Sequence, residues 1–348
     1  MTHRRLHWLE KLQVQLTAAG VLAVAYFLVW RLIRPADPTG AVAFVATGAL
    51  RDAGVLAAAV LVLTIVGGVT TLTARPEGAM TAVLLGLGGV SLHSGPMRTL
   101  LWVRQDDLAA LYWQMAAETV LLGAILAAAA AVLHGLRRAI DGRLGRWAWR
   151  DLLGDFDERQ QREYVRFVAA GKDADGADAY DDLPLKILGG GFARIIVGRA
   201  VAGRRGRSGA TPGDEMARRG MCFALLVAAA LALVWLLARS VDRGQVLFAV
   251  FGGCFLAAML AYMVFPMRFS LPAWAGPILV GLASYVLAAT GSLESGQGAW
   301  MRVPACYQAL PLDWLTGGAG GGLLGYWVAS RMHENKFLEY QEEREEGA

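Results

Sequence analysis

The chain has 348 residues, of which 56% are hydrophobic, and it carries a formal net charge of +4. Soluble globular domains are typically about 45–50% apolar, and the excess here lies in long runs, so the composition excludes an ordinary soluble domain and indicates a membrane protein. The basic residues flank these runs, where lipid headgroups lie, and no basic patch is interleaved with base-stacking aromatic residues, which excludes a nucleic-acid-binding protein.

Eight stretches approach the roughly 20 apolar residues that a membrane-spanning helix needs. They are residues 14–34, 54–74, 79–94, 115–136, 220–239, 245–266, 271–290 and 309–330. The basic N-terminus resembles that of a signal peptide, but the first apolar run is too long for one, so we predict a span. The third stretch soon meets Ser91, His93 and Ser94, and it either continues to Val103 as a bent helix or re-enters the membrane. The sequence therefore predicts an all-α polytopic membrane protein with about eight transmembrane helices.

Clusters of basic residues predict the orientation of these spans in the membrane. Such clusters precede the first span, follow the fourth and precede the fifth, and they should all be cytoplasmic. Both termini are then cytoplasmic, in a multi-pass protein of the cell (inner) membrane. The predicted divisions are a first transmembrane repeat (1–136), a cytoplasmic linker with an amphipathic helix and an acidic loop (137–219), a second repeat (220–330) and an acidic cytoplasmic tail (331–348).

The two halves of the chain resemble each other in sequence. The first span ends in Leu28-Val29-Trp30-Arg31-Leu32-Ile33-Arg34 and the fifth in Leu233-Val234-Trp235-Leu236-Leu237-Ala238-Arg239, which share L-V-W-x-L-x-R. An external loop in each half carries W-x-R, at Trp102-Val103-Arg104 and at Trp300-Met301-Arg302. Because each half holds an even number of spans, we predict two parallel-oriented four-helix repeats, related by a pseudo-twofold axis along the membrane normal.

Small residues recur four positions apart in the fourth and eighth spans. Residues four apart share one helix face, and small side chains there let two helices approach closely. We therefore predict that the fourth and eighth spans pack near the pseudo-twofold axis. The positions are Gly123, Ala127, Ala131, Gly135, Gly317, Gly321, Gly325 and Ala329.

Two acidic residues, Glu118 and Asp313, begin the fourth and eighth spans at corresponding places. Charges within membrane helices are costly and often functional. Both acids are predicted near the external interface, where a carboxylate can reach water and the helix dipole favours an acid, so a structural interpretation stays open. Arg104 and Arg302 could bind an anionic headgroup or solute, or could anchor their loops together with the neighbouring Trp102 and Trp300. We also predict that each arginine pairs with the acid of its own half.

Other motifs favour structural interpretations. His93 and His134 are predicted toward opposite membrane faces, and the acidic stretch 173–178 departs from the EF-hand pattern. The three cysteines lie far apart and match no disulfide or metal spacing. No nucleotide-binding, metalloprotease or serine-hydrolase motif occurs, so we predict neither a cofactor, nor a metal, nor an enzyme.

Two functions from different classes fit this pattern. Duplicated halves commonly form a pathway at their interface, which favours a transporter or permease-like protein, and the apolar span interiors favour a lipid or a weakly charged solute. The alternative is a non-catalytic membrane subunit or scaffold, whose close-packing helix faces bind a membrane-protein partner or a second copy of the chain. An enzyme acting on lipids at the interface rests only on the duplicated loops. The predicted partners include membrane lipids and no nucleic acid.

Overall fold

The computed structural model describes residues 2–36, 38–71, 76–144, 212–265, 270–291 and 296–346. Every regular element within these ranges is helical, which confirms the predicted all-α fold. Long helices, numbered here in chain order, account for most of these residues. They are α1 (Thr2–Val24), α2 (Leu50–Thr70), α3 (Pro76–His93), α4 (Leu108–Leu144), α5 (Pro212–Leu237), α6 (Arg243–Val264), α7 (Leu271–Thr290) and α8 (Ala319–Glu346).

Within the described ranges, six helical segments are long and apolar enough to cross a membrane, which makes this chain a multi-pass integral membrane protein. They are Lys11–Ile33, Leu50–Thr70, Leu108–Ile140, Arg219–Leu237, Arg243–Val264 and Leu271–Thr290. A seventh candidate is the bent pair Glu77–His93 and Met97–Val103, whose two helices meet at 47°.

The bend after α3 lies where the sequence predicted an interruption. Pro96 stands immediately before the helix Met97–Val103 in an extended conformation, and proline cannot donate the backbone hydrogen bond that would continue α3. The Gly95 N–H instead donates to the Gly40 carbonyl at 2.8 Å. A Cβ on residue 95 would clash with the Thr39 carbonyl oxygen, so only glycine fits at this close approach.

The eighth predicted span is helical but does not count among these seven candidates. A short helix, Pro311–Asp313, leads through a π-helical turn, Trp314–Gly318, into α8 without a break. The region carries six glycines between Gly317 and Gly325, which lower its apolarity. Its interior is nonetheless well buried, because Leu323 and Ala329 have no exposed surface. Eight spans therefore stay a prediction.

The fourth and eighth spans do meet, where Pro311–Asp313 and Trp314–Gly318 contact α4, but their small residues lie beside other helices. A Cβ at Gly321 would lie 2.6 Å from the Phe251 carbonyl oxygen, so this face of α8 packs closely on α6. Gly317 and Gly325 of the same face also lie next to α6, beside Phe251 and Phe255. On α4, the nearest atom to a Cβ at Gly123 belongs to Ile278 of α7, at 3.1 Å. The other three positions on α4 are exposed, namely Ala127, Ala131 and Gly135.

The two halves pack differently within themselves. The first helix of the chain, α1, packs along α3, whereas its counterpart α5 packs mainly along α6. The halves meet through α3 against α8 and through α4 against α7. The duplication of the halves therefore stays a prediction from sequence.

Where α3 meets α8, the contact between halves is closely packed and apolar. A Cβ at Gly320 of α8 would lie 3.0 Å from a methyl carbon of Leu85 on α3 and 3.4 Å from Leu84. Buried residues of both halves form one continuous hydrophobic core. The amphipathic helix and the acidic loop predicted within 137–219 lie outside the described residues, apart from the end of α4 and the start of α5. The backbone of the predicted acidic tail continues α8 as far as Glu346.

Candidate functional site

Both acids singled out in the sequence are fully buried at one end of the bundle. Glu118 and Asp313 each have 0% exposed surface. This end, called here the carboxylate end, comprises the described connecting segments 34–36, 38–49, 94–107, 238–242 and 296–310. The prediction that both carboxylates reach water is therefore wrong in this structure. A buried charge is costly unless it is paired and hydrogen-bonded, so the partners of each acid decide what it can do.

Asp313 is completely satisfied by a fork of hydrogen bonds. Both terminal guanidinium nitrogens of Arg243, the first residue of α6, donate to the carboxylate, and the Nη2–Oδ1 distance is 2.6 Å. The backbone N–H of Leu310 donates to Oδ2 at 2.7 Å. Bidentate pairing of this kind is about twice as strong as a neutral hydrogen bond and fixes the geometry of both groups.

The same arginine ties the two halves of the chain together. Arg243 Nη2 also donates to the Ser91 carbonyl of α3 at 2.9 Å. The Ser91 hydroxyl lies 2.9 Å from the Thr316 hydroxyl, in the π-helical turn that precedes α8. Since Thr316 donates its only hydroxyl proton to the Leu312 carbonyl, Ser91 is the donor to Thr316. One residue of α3 thus makes two polar contacts across the boundary between halves.

The predicted partner of Asp313 was Arg302, and this pairing is wrong. Arg302 lies exposed at the end of the 3-10 turn Ala299–Arg302, whereas Arg243 forms the ion pair. A signal for Arg243 was present in the sequence. A cation at the first residue of a helix opposes the helix dipole, so its position there indicates a compensating anion.

Glu118 has a different environment. Its Oε2 accepts the Val45 N–H at 2.9 Å, while Oε1 has no hydrogen-bond partner among the described residues. Val45 belongs to the short helix Phe44–Thr47, which lies in the connection between α1 and α2. The predicted partner, Arg104, instead donates to the Ala46 carbonyl at 3.0 Å, so this predicted pairing is also wrong.

The backbone that covers Glu118 is itself buried and pinned by the first half of the chain. This cover, residues 39–47, includes Ala41, Val42 and Phe44, none of which is more than 2% exposed. The Ser94 hydroxyl accepts the Val42 N–H at 2.9 Å, and the Thr99 hydroxyl donates to the Thr39 carbonyl at 3.2 Å. Glu118 and Arg104 bond to the same cover from α4 and from the loop before it. Polar side chains therefore replace water as partners of this buried backbone.

Two buried tyrosines lie beside the acids. Tyr285 of α7 is within electrostatic reach of both Glu118 and Asp313, and its hydroxyl donates to the Ala309 carbonyl at 2.6 Å. The Tyr112 hydroxyl donates to the Tyr307 carbonyl at 3.3 Å, and the Tyr112 and Tyr285 rings lie 6.2 Å apart. Sequence reasoning missed both tyrosines, because a tyrosine in an apolar run resembles ordinary core.

The duplicated W-x-R loops do not form a common site. The Arg98 guanidinium lies 4.7 Å from the centre of the Trp300 ring, and Gln105 accepts the Gly298 N–H through its side chain at 3.1 Å. These contacts dock the loop of one half on the loop of the other. Trp102 is 58% exposed, as an aromatic residue at a lipid–water interface would be.

The two histidines of the predicted spans lie in separate environments. His93 stacks on the Trp30 ring with a centroid distance of 5.0 Å. His134 Nδ1 donates to the Ala130 carbonyl, one turn earlier, at 2.8 Å. Neither takes part in the carboxylate end's hydrogen bonds.

The two acids therefore differ in their chemical capacity. The Arg243–Asp313 pair can hold the two halves together, and it can separate only if both charges find new partners. Glu118 retains an oxygen that is available to a proton or to another donor. Comparison with protein-family models, with curated proteins and with solved structures finds no match to this chain.

Proposed function

We propose that this protein is a permease-like transporter for a lipid or a weakly charged solute, and that the Arg243–Asp313 pair closes its pathway. The observation that carries the proposal is this buried ion pair at the boundary between halves. Buried ion pairs are often no more stabilising than apolar residues of the same volume, so their presence in a membrane protein favours a functional role.

Irregular helices at the same place support the proposal. The break between α3 and the helix Met97–Val103 lies close to Ser91, and the π-helical turn Trp314–Gly318 contains Thr316. Interrupted helices at the interface of two halves are typical of transporter sites, and π-helical turns are frequent at functional sites. The Ser91–Thr316 hydrogen bond joins the last turn of α3, just before this break, to the π-helical turn.

The apolar contact between halves supports the proposed class of substrate. Further from the carboxylate end than Ser91, α3 and α8 meet through Leu84, Leu85 and Gly320. The side chains at this contact offer no polar group to a charged solute. A lipid chain or a weakly charged solute would pass such a surface at lower cost than an ion.

The test uses the full chain in liposomes. Transbilayer movement of a nitrobenzoxadiazole-labelled phosphatidylethanolamine is followed by dithionite quenching, and glycerol entry is followed by light scattering. We expect one of the two probes to move faster than in protein-free liposomes. Asp313→Asn should change that rate, whereas Asp106→Asn, an exposed acid at the same end, should not. Equal rates for both probes in liposomes with and without protein would contradict the proposal.

A membrane subunit or scaffold is the alternative function, and one observation favours it. The exposed small residues of α4, including Ala127 and Ala131, form an uncovered face of the kind on which a second helix packs. Purification in mild detergent followed by native mass spectrometry distinguishes the two proposals. A stoichiometric protein partner or a dimer favours the scaffold, and a lone chain with a bound lipid favours the transporter.

The proposed location is the cell (inner) membrane, with both termini in the cytoplasm and the carboxylate end outside. The basic clusters at the ends of the first, fourth and fifth spans support this orientation.

A further inference from the structure

Two acids are buried among the described residues, and Glu118 is the one without a cation. Asp313 shares its charge with Arg243, but no ion pair within the described ranges includes Glu118. Its Oε2 accepts the Val45 N–H at 2.9 Å, and the neighbouring Phe44 N–H also interacts with the carboxylate, whereas Oε1 lacks a hydrogen-bond partner among the described residues. An ionised carboxylate in this position would bear a large desolvation cost, which backbone amides without a cation offset only in part.

The other charged or titratable groups that face this region have their own partners or lie at the surface, apart from His93, which stacks on Trp30 but whose Nδ1 has no hydrogen-bond partner among the described residues. On the facing elements, Tyr285 of α7 donates to the Ala309 carbonyl, and Asp313 is paired with Arg243 of α6. Tyr112, on the same helix as Glu118, donates to the Tyr307 carbonyl. Arg104, in the loop before α4, donates to the Ala46 carbonyl, and His93 of α3 packs against Trp30. Arg51 and Asp52 lie in the partly exposed first turn of α2.

The access of water to Glu118 depends on the cover formed by residues 39–47. Ser94, Gly95, Thr99, Arg104 and Glu118, all in the first half, form hydrogen bonds with this cover, and the further bonds of the Arg243–Asp313 pair go to Ser91 and Leu310, which lie outside it. The cover can therefore move without breaking the Arg243–Asp313 pair. Its displacement would expose Glu118 at the carboxylate end.

We propose that Glu118 is a proton-binding site, and that proton release from its carboxyl group accompanies opening of the 39–47 cover. With the cover closed, the proton resides on the carboxyl group, and the neutral group tolerates burial. When the cover opens, water reaches the group, the O–H bond breaks, and the proton passes to water as the carboxylate forms. Closing reverses these steps, so one proton is taken up for each closure.

A proton fits this site better than a metal ion. Within the described ranges, no cluster of three or more His, Cys, Asp or Glu side chains could hold a metal. Sodium or a divalent cation needs several oxygen ligands, whereas a proton needs only the one available oxygen, Oε1. A role of this proton in driving transport depends on the proposed function. Proton binding itself can be measured without any transport.

Infrared spectroscopy of the purified full-length protein tests proton binding directly. Difference spectra between the wild type and Glu118→Gln are recorded from acidic to alkaline pH. We expect one protonated-carboxyl band that is absent from Glu118→Gln and disappears from the wild type as the pH rises. Asp106→Asn controls for an exposed acid at the same end. If Glu118→Gln does not fold, Glu118→Asp keeps the carboxyl group and should shift the frequency of the band.

A labelling experiment tests the movement of the cover. Ala43, which is 2% exposed, is replaced by Cys in a Cys306→Ser background, and its reaction with a maleimide is timed. At each pH, the rate in the protein with native Glu118 is divided by the rate in the protein that also carries Glu118→Gln. This ratio cancels the intrinsic pH dependence of the thiol. We expect this ratio to be near one at acidic pH and to rise severalfold at alkaline pH.

The outcomes separate this inference from the proposed function. A carboxyl band assigned to Glu118 together with a rising ratio supports the proton site, even if neither lipid nor glycerol moves in liposomes. Identical infrared spectra for the wild type and Glu118→Gln at every pH, or a ratio that stays constant, would overturn it, even if transport is found.

Discussion

Arg243 and Asp313 are 70 residues apart in sequence and form a bidentate ion pair. Arg243 is the first residue of α6, and Asp313 directly precedes the π-helical turn that leads into α8. Asp313 is fully buried, and the Arg243 side chain is 16% exposed. Through its bond to the Ser91 carbonyl, Arg243 also reaches α3 of the first half. The pair thus fixes three helices at one point.

Asp313→Asn should destabilise the protein strongly. The substitution leaves the Arg243 charge without its anion, and breaking a buried pair typically costs about 3–5 kcal/mol. The free energy of unfolding in mixed micelles of mild detergent and dodecyl sulfate measures the loss. Arg243→Gln combined with Asp313→Asn should lose less than the sum of the single variants, because no charge is then left unpaired. Additive losses would show that the two side chains do not interact.

Gly321→Ala should weaken the packing of α8 on α6. The added Cβ would lie 2.6 Å from the Phe251 carbonyl oxygen, and backbone atoms cannot give way as a flexible side chain can. Overpacking of this kind typically costs about 1–3 kcal/mol in free energy of unfolding. The matched control is Gly135→Ala on α4, where nothing lies within 4 Å of the added atom, and it should lose no stability. A larger loss for the control than for Gly321→Ala would contradict the packing of these faces.

Removal of the hydroxyl contact between Ser91 and Thr316 should have a small, measurable effect. Hydrogen bonds between membrane helices contribute about 0.6 kcal/mol on average and about 1.7 kcal/mol at most. A double-mutant cycle with Ser91→Ala and Thr316→Val, read by the free energy of unfolding, isolates this coupling. A coupling energy of zero would mean that the 2.9 Å contact does not stabilise the boundary between halves.

Cys306 should react slowly with iodoacetamide near neutral pH. Partial burial of this residue, which lies in the connection before α8 and outside the spans, raises the pKa of its thiol. Since the thiolate is the reactive form, its fraction at a given pH is lower than in a free cysteine, and the alkylation rate should rise only at higher pH. Mass spectrometry of the labelled chain across a pH series measures the rate. In dodecyl sulfate the rate should reach that of a free cysteine, and equal rates in the folded and unfolded chain would contradict the burial.

The proposed orientation predicts which residues a membrane-impermeant maleimide can reach in intact cells. Asp106→Cys, on the exposed connection at the carboxylate end, should react from outside. A cysteine placed at residue 348 should react only after the cells are permeabilised. The opposite pattern would invert the orientation and place the carboxylate end in the cytoplasm.

The sequence alone determined that the chain is helical and membrane-embedded. Long apolar runs leave backbone polar groups without water, so the helix is the one local structure that satisfies them within each run. The sequence also placed an interruption after α3, because Ser91, His93 and Ser94 are polar, and the local steric reason for the bend lies at Pro96, which cannot continue a helix. Glu118 and Asp313 could be singled out as well, since acids in membrane segments are rare whatever surrounds them.

Only the tertiary structure decided which helix faces meet and which charges pair. Lipid chains and protein cores are equally apolar, so the same residue types lie on both faces of a helix. In α2, Leu56 and Val60 are buried, whereas Val62 and Val66 are exposed. Symmetry between the halves suggested Arg302 as the partner of Asp313, but the packing of α6 beside the start of α8 brings Arg243 there instead. The rotation and neighbours of each helix depend on contacts distant in sequence, such as Ser91 with Thr316, and no local pattern encodes them.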